Sequence, residues 1–366
     1  MMKVTLTNEM LKYITEIEKN RYHISSVKLS KTVANKLRKN SKKKSSYASN
    51  KIEGNPLSEK QVEEIIESDE HKHFLKPEQE VRNYFLALNL LEEKAEKKEK
   101  FSKKLILDVQ KLVEKGASRE KIGLRGPMPP GVLFAVYDSK SGKPEYIPPE
   151  YSDIPALLDE LIEYVNTTDD HPLIVAAVVH YQLVTIHPFE DGNGRTARLL
   201  SGYIMDLNGY GFNGIGSLEE YFAYDIEEYY ECIQMGLPVL YYLGRENPPH
   251  PEIWINYFLR MVQLYSNKVC NLQLSSNADD IEGSISYLKE KEKKLLLLLI
   301  KKYQREFTPI EVSREMSVTN KTIINRLSVL TKNGFVVPIL VNKRIRSYEL
   351  SEFTKEHKKE ILRAIR

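Results

Sequence analysis

Residues 172–186, PLIVAAVVHYQLVTI, are apolar over nearly the whole circumference of a helix. A segment of that kind is stable only when buried on every side, so the chain must build its core around it. Asp169 or Asp170 is the expected cap, with Pro172 in the first turn. Further on, TARLLSGYIMDLNG has helical spacing and stops at Asn208-Gly209, a common helix exit. Between the two runs lies HPFEDGNGRTAR, 187–198. The spacing thus predicts a short loop rich in reactive groups, held between two core helices.

The residue types limit what that loop does. Gly192 and Gly194 let the backbone take left-handed angles, so successive N–H groups converge on an anion. The next helix, predicted to open at about Arg195, adds the positive end of its dipole. Arg195 and Arg198 are three apart and share a helix face. Two guanidinium forks beside an amide nest suit several phosphates, which Arg binds in bidentate fashion. Asp191 is a hard oxygen ligand of the kind Mg²⁺ uses with substrate phosphates. His187 titrates near neutrality and is placed to accept a proton from a hydroxyl. These are the parts of a phosphoryl or nucleotidyl transfer site. His180, two helical turns before His187, is expected to be a packed core residue.

The segment resembles the signature of Fic-domain proteins, H-P-F-x-D/E-G-N-G-R-x-x-R. His187, Pro188, Phe189, Asp191, Gly192, Asn193, Gly194, Arg195 and Arg198 meet every fixed position. The resemblance implies transfer of AMP from ATP to a Ser, Thr or Tyr hydroxyl of a target protein. It implies His187 as base, Asp191 as the Mg²⁺ ligand and Phe189 as a core anchor. By the same resemblance Asn193 and the glycine amides cradle the α-phosphate, and Arg195 and Arg198 hold the outer phosphates. Upstream, Ser49, Glu53 and Gly54 resemble the family's inhibitory motif S/T-x-x-x-E-G/N. A carboxylate held against Arg198 would occupy the fork meant for the γ-phosphate and keep the enzyme restrained in cis.

The remaining chain fits around this centre. Residues 1–45 read as one or two helices ending in a solvated lysine run, Lys42 to Lys44, and Ser58 with Gln61 starts a further helix. Helical patterns fill 76–115. VLFAVYD, the turn DSKSGK and PEYIPP then predict a hairpin. In the family such a flap pairs with the target peptide by strand addition. Tyr229 and Tyr230 lie where family members line the adenine pocket, and EIWINYFLRMV, 252–262, resembles the closing helix of the Fic unit. LQLSSNADDIEG, 272–283, reads as a polar linker. Beyond it, helices at about 287–303, 308–316 and 319–334 and an alternating stretch at 335–350 resemble a winged helix-turn-helix. Lys321, Arg326, Lys343, Arg344 and Arg346 fit phosphate contacts on DNA, and protein docking is the other role open to such a module.

Composition agrees with such a protein. At 366 residues, 41% hydrophobic and 29% charged, the chain has the make-up of a soluble globular protein of two or three domains. The first twenty residues lack the apolar core of a signal peptide, and LLLLLI at 295–300 is too short to span a bilayer. Cys232 and Cys270 stand far apart, which argues for a reducing cytoplasm rather than a disulfide framework. Residues 286–366 hold 19 Lys+Arg against 9 Asp+Glu, while the remainder holds 35 against 42.

The expected architecture is mainly α: a helical region at 1–110 with the inhibitory motif, a Fic-type core with a β-hairpin flap at 111–271, and a winged helix at 284–366. The expected activity is ATP- and Mg²⁺-dependent protein adenylylation, kept low by Glu53. P-loop and Rossmann chemistry are unsupported: GxxxxGKS/T does not occur, and the one GxGxxG, Gly209 to Gly214, follows a helical run rather than a strand. Three other readings stay open: hydrolytic removal of AMP using Glu53, a DNA-bound regulator whose Fic site senses nucleotide, and transfer of phosphate or UMP. The sequence allows a homodimer and names neither the target nor the oligomeric state.

Overall fold

The structure is a computed structural model; it describes residues 2–27, 29, 31–68, 73–117, 122–137, 142–235, 237, 248–286, 288–303, 305–341 and 344–365. The chain forms two compact units, one of residues 1–26 with 34–270, the other of 27–33 with 271–366. In the first, α1 (Asn8–Ser26), α2 (Lys31–Ile52), α3 (Glu59–Glu67), α4 (Lys76–Glu96) and α5 (Lys103–Val113) precede a small hairpin. Its strands β1 (Val136–Tyr137) and β2 (Pro144–Tyr146) are antiparallel, with Val136 opposite Tyr146. The turn at 138–141 lies outside the described residues. Then come α6 (Ile154–Thr167), α7 (Pro172–Ile186), α8 (Asn193–Leu207), α9 (Glu219–Phe222), α10 (Ile226–Gln234) and α11 (Pro251–Ser286), whose residues from 271 on belong to the second unit.

The apolar run is α7, buried from Leu173 through Leu183 and again at Thr185 and Ile186. Burial of a single Val, Leu or Ile side chain stabilises by roughly 1.5–3 kcal/mol, which makes α7 the axis of the core. Two side chains fasten neighbours to its backbone: Ser201 Oγ donates to the Ala176 carbonyl and Trp254 Nε1 to that of Ala177, both at 2.9 Å. His180 is fully buried, shares a 2.8 Å hydrogen bond with the Tyr229 hydroxyl, and sits among Phe222, Trp254 and Phe258. Burial holds its ring well below the ordinary histidine range.

Four expectations are corrected. The cap of α7 is His171, whose Nδ1 accepts from the Leu173 amide at 3.3 Å; Asp170 is drawn off by the Tyr164 hydroxyl at 2.8 Å. α8 opens at Asn193, with Gly192 as its left-handed cap, rather than at Arg195. Lys42 to Lys44 are not a solvated loop but part of α2. Lys42 pairs with Glu92 and Asn89 of α4, Lys43 with Glu67 of α3 at 2.8 Å, and Lys44 with Glu220 of α9 at 3.3 Å. Those pairs fix the helix that delivers Ser49 and Glu53. Finally, 272–283 is helical, the continuation of α11. Ile281 and Ile285, four apart, enter an apolar cluster, and that burial outweighs the polar residues between them.

The second unit carries α12 (Glu290–Lys302), α13 (Pro309–Met316), α14 (Asn320–Lys332), an antiparallel pair β3 (Val336–Val341) and β4 (Arg344–Leu350), then α15 (Glu352–Glu356) and α16 (Lys358–Ala364). The LLLLLI run supplies its centre: Leu295, Leu296 and Leu299 pack with Phe307, Leu327 and Phe335. Thr308 and Glu311 form a capping box on α13. Lys343 lies outside the described residues. Among those described, no helix is long and apolar enough to cross a membrane.

Candidate active site

The loop between α7 and α8 is shaped by its own residues. His187 closes α7 in the left-handed region at φ 48°, and Gly192 (φ 80°) opens α8. Asn193 braces the turn: its Oδ1 accepts from the Phe189 amide at 3.0 Å and its Nδ2 donates to the Phe189 carbonyl at 2.9 Å. Phe189 itself is buried. The Asn193 amide is therefore engaged in holding loop shape. Arg125, which the sequence did not single out, clamps the near side. Its backbone N–H donates to the Pro188 carbonyl and its Nε to that of His187, both at 2.9 Å, and its guanidinium also donates to the Pro149 carbonyl.

His187 is half-buried, with its ring 6.0 Å from that of Phe134. Its Nδ1 lies 3.3 Å from the Val184 carbonyl. A carbonyl only accepts, so Nδ1 carries the proton and Nε2 keeps a lone pair. Burial, with the Arg125 charge, pushes the ring down to about 4 despite that hydrogen bond and the carboxylates of Glu53 and Asp191. The imidazole is therefore neutral at physiological pH. An activity that uses it as a base should hold level between about pH 5 and 8 rather than fall through the usual histidine value. A pH–rate profile tests this, and an acid limb centred near 6.5 would reject it. The linkage has the same sign: the unfolded chain binds this proton first, so its contribution to stability is lost as pH falls from 6.5 towards 4.

Arg198 is the most completely enclosed charge of the loop, its side chain 1% exposed. Four acceptors surround it: Ser49 Oγ at 2.8 Å, the Ser49 carbonyl at 3.1 Å, the Tyr229 hydroxyl at 3.4 Å and Glu53 Oε1 at 2.6 Å. Burial would raise the Glu53 carboxyl, but Arg198 and Arg195 outweigh it and hold it below the ordinary carboxylate range. Glu53 follows directly on α2, and Gly54 turns the chain away at φ 81°. Its carboxylate lies over Gly194, where a Cβ would collide with Oε1. Ser49, Glu53 and Arg198 are thus brought together, as are His187, Asp191 and Arg195 around the same turn. Tyr229 is buried with its hydroxyl on Arg198 and His180, whereas Tyr230 is 47% exposed.

Arg195 meets carboxylates that sequence reasoning missed. Its Nη2 lies 3.0 Å from Glu114 Oε1 and 3.3 Å from Asp191 Oδ1, and its Nη1 lies 3.6 Å from Glu80. Glu114 caps the C-terminus of α5, the negative end of the helix dipole, where an acid is out of place. That anomaly was the available signal. Asp191 is more open, 38% exposed, and its Oδ1 also accepts from the Gly192 amide at 2.7 Å.

An unprotonated imidazole, two buried guanidiniums and a partly exposed carboxylate are gathered on one glycine turn, the kinds of group that phosphate-ester transfer calls for. Residues 100–205 match a family model described as the Fic/DOC family. Over 68 residues the chain is 41% identical to the protein adenylyltransferase Fic of Aedes aegypti and 43% to that of Drosophila mojavensis. Each alignment takes in 18% of this chain and 14% of the relative, so the match spans a small part of those proteins. A solved Fic family protein from Desulfovibrio desulfuricans G20 matches at TM-score 0.62 and 18% identity, covering 96% of this chain and 98% of that one. Fic-1 from C. elegans matches at 0.56 and 23%, covering 73% and 72%. The fold is accordingly mainly helical and of Fic type, with a small antiparallel hairpin.

Proposed function

We propose that this chain is a protein adenylyltransferase restrained by Glu53, which moves AMP from ATP to a Ser, Thr or Tyr hydroxyl of a target protein. The observation that carries this reading is the pairing of a neutral imidazole with two buried guanidiniums on one turn. His187 Nε2 takes the proton from the target hydroxyl, and that oxygen attacks the α-phosphorus. The bond from the α-phosphorus to the α,β-bridging oxygen breaks, and pyrophosphate leaves. Arg195 and Arg198 hold the outer phosphates, while the Gly192–Gly194 turn offers backbone N–H groups to the α-phosphate. Asp191 fits a divalent cation: its oxygens are hard and open, and Oδ2 already draws Lys76 Nζ to 3.9 Å. Asp191 would hold Mg²⁺ there, and the ion would supply positive charge against the phosphates.

In this reading residues 1–110 form the restraining region and 111–271 the catalytic core. The β1–β2 hairpin, with Tyr137 exposed, offers an edge to the target backbone. The test is incubation of Glu53→Gly protein with ATP labelled at either end. Label from the α-phosphate should remain on protein; label from the γ-phosphate alone would make the protein a kinase.

We propose in addition that 284–366 is a winged helix that binds duplex DNA. Support comes from α13 and α14, joined by three residues through the left-handed Ser317, and from the β3–β4 hairpin that follows. Lys321 and Arg346 are exposed on α14 and β4. Binding should weaken steeply with salt and vanish on removal of 287–366; its absence at low salt would end this proposal.

A further inference from the structure

Two carboxylates, not one, reach under the glycine turn. Gly194 leaves room for Glu53 against Arg198, and Gly192 leaves room for Glu114 against Arg195; a Cβ on either glycine would collide with the carboxylate. Glu114 is fixed in place. Its side chain is 2% exposed, and Asn83 Nδ2 donates to the carbonyls on both sides of it, Val113 at 2.8 Å and Lys115 at 2.9 Å.

The contact with Arg195 is close in charge but poorly aligned. Among the described residues neither carboxylate oxygen of Glu114 has a hydrogen-bond partner, and Arg195 Nε and Nη1 are likewise open. A carboxylate present only to orient an arginine would share paired, aligned bonds with it. Glu114 instead leaves Nε and Nη1 of the guanidinium unused, ready for acceptors that fit them better. Any phosphate that comes to Arg195 also meets the negative charge of Glu114 and Glu80. Burial already pushes the Glu114 carboxyl up to about 7, the mark of an anion that its surroundings support poorly.

We infer that Glu114 is a second restraint, a positioning residue that holds Arg195 away from phosphate as Glu53 holds Arg198; this rests on the reading of the loop as a nucleotide site. The two restraints act on different arginines, so removing one leaves the other in force.

The test is ADP binding by calorimetry to Glu53→Gly and to Glu53→Gly/Glu114→Gln, with adenosine as the comparison ligand. The double variant should bind ADP about five- to tenfold more tightly, because a like charge has left the phosphate site. Adenosine, which has no phosphate for Arg195, should bind both proteins equally. Equal or weaker ADP binding by the double variant overturns the inference, and so does an equal gain for adenosine. ADP binding by Glu53→Gly with no gain in the double variant rejects the second restraint alone. Failure of Glu53→Gly to bind ADP at all rejects the nucleotide reading and this inference with it. Melting temperatures check folding, and Glu114→Met, of similar length, makes the same comparison should the Gln variant unfold.

Discussion

Glu53→Gly is expected to raise AMP transfer by about 10- to 100-fold over wild type, since a charge-assisted hydrogen bond is worth roughly 1.5–3 kcal/mol. Four of the five N–H donors of Arg198 are engaged in this structure. Ser49 and Tyr229 take three of its contacts, and Glu53 takes the one a phosphate would need. Removing Glu53 opens that position without disturbing the others. The substitution also lies just beyond the end of α2, so the helix and its lysine pairs remain. Label from α-labelled ATP, on the protein itself and on its target, is the measurement. Unchanged transfer, in a protein shown to bind ATP, would show that Glu53 restrains nothing.

His187→Ala, made in that freed background, should lower transfer by about 10²- to 10⁴-fold, the usual contribution of a positioned general base. The ring's proton decides this outcome. Nδ1 is tied to Val184 and Nε2 is unprotonated at neutral pH, so the ring can accept a proton without first losing one. Alanine removes that acceptor and leaves Arg195 and Arg198 untouched. ADP affinity should therefore stay near its former value while transfer falls. Transfer that survives in His187→Ala would place the base elsewhere and sink the mechanism.

Local rules made much of the fold legible. All-round apolarity found α7, and the capping box at Ser58 with Gln61 marked a helix start. Expectations failed where a partner outside the local pattern decided the outcome. Lys42 to Lys44 looked solvated because Glu67, Glu92 and Glu220 come from other helices. Asp170 looked like a cap, but the Tyr164 hydroxyl competed for it. The polar stretch 272–283 looked like a linker, yet two isoleucines four apart kept it helical.

What the sequence determined alone was the loop. Glycine at 192 permits the left-handed turn, Asn193 ties back to Phe189 four residues away, and the three-residue spacing sets Arg195 and Arg198 on one face. Each of these acts within one or two helical turns, where spacing fixes geometry. Only the tertiary structure decided which carboxylate faces which guanidinium and whether His187 carries a charge. Those outcomes depend on burial and on distances between groups as far apart in sequence as Glu53 and Arg198, separated by 145 residues. Coulombic attraction in a dry interior is set by ångströms of separation, and no spacing along the chain encodes them.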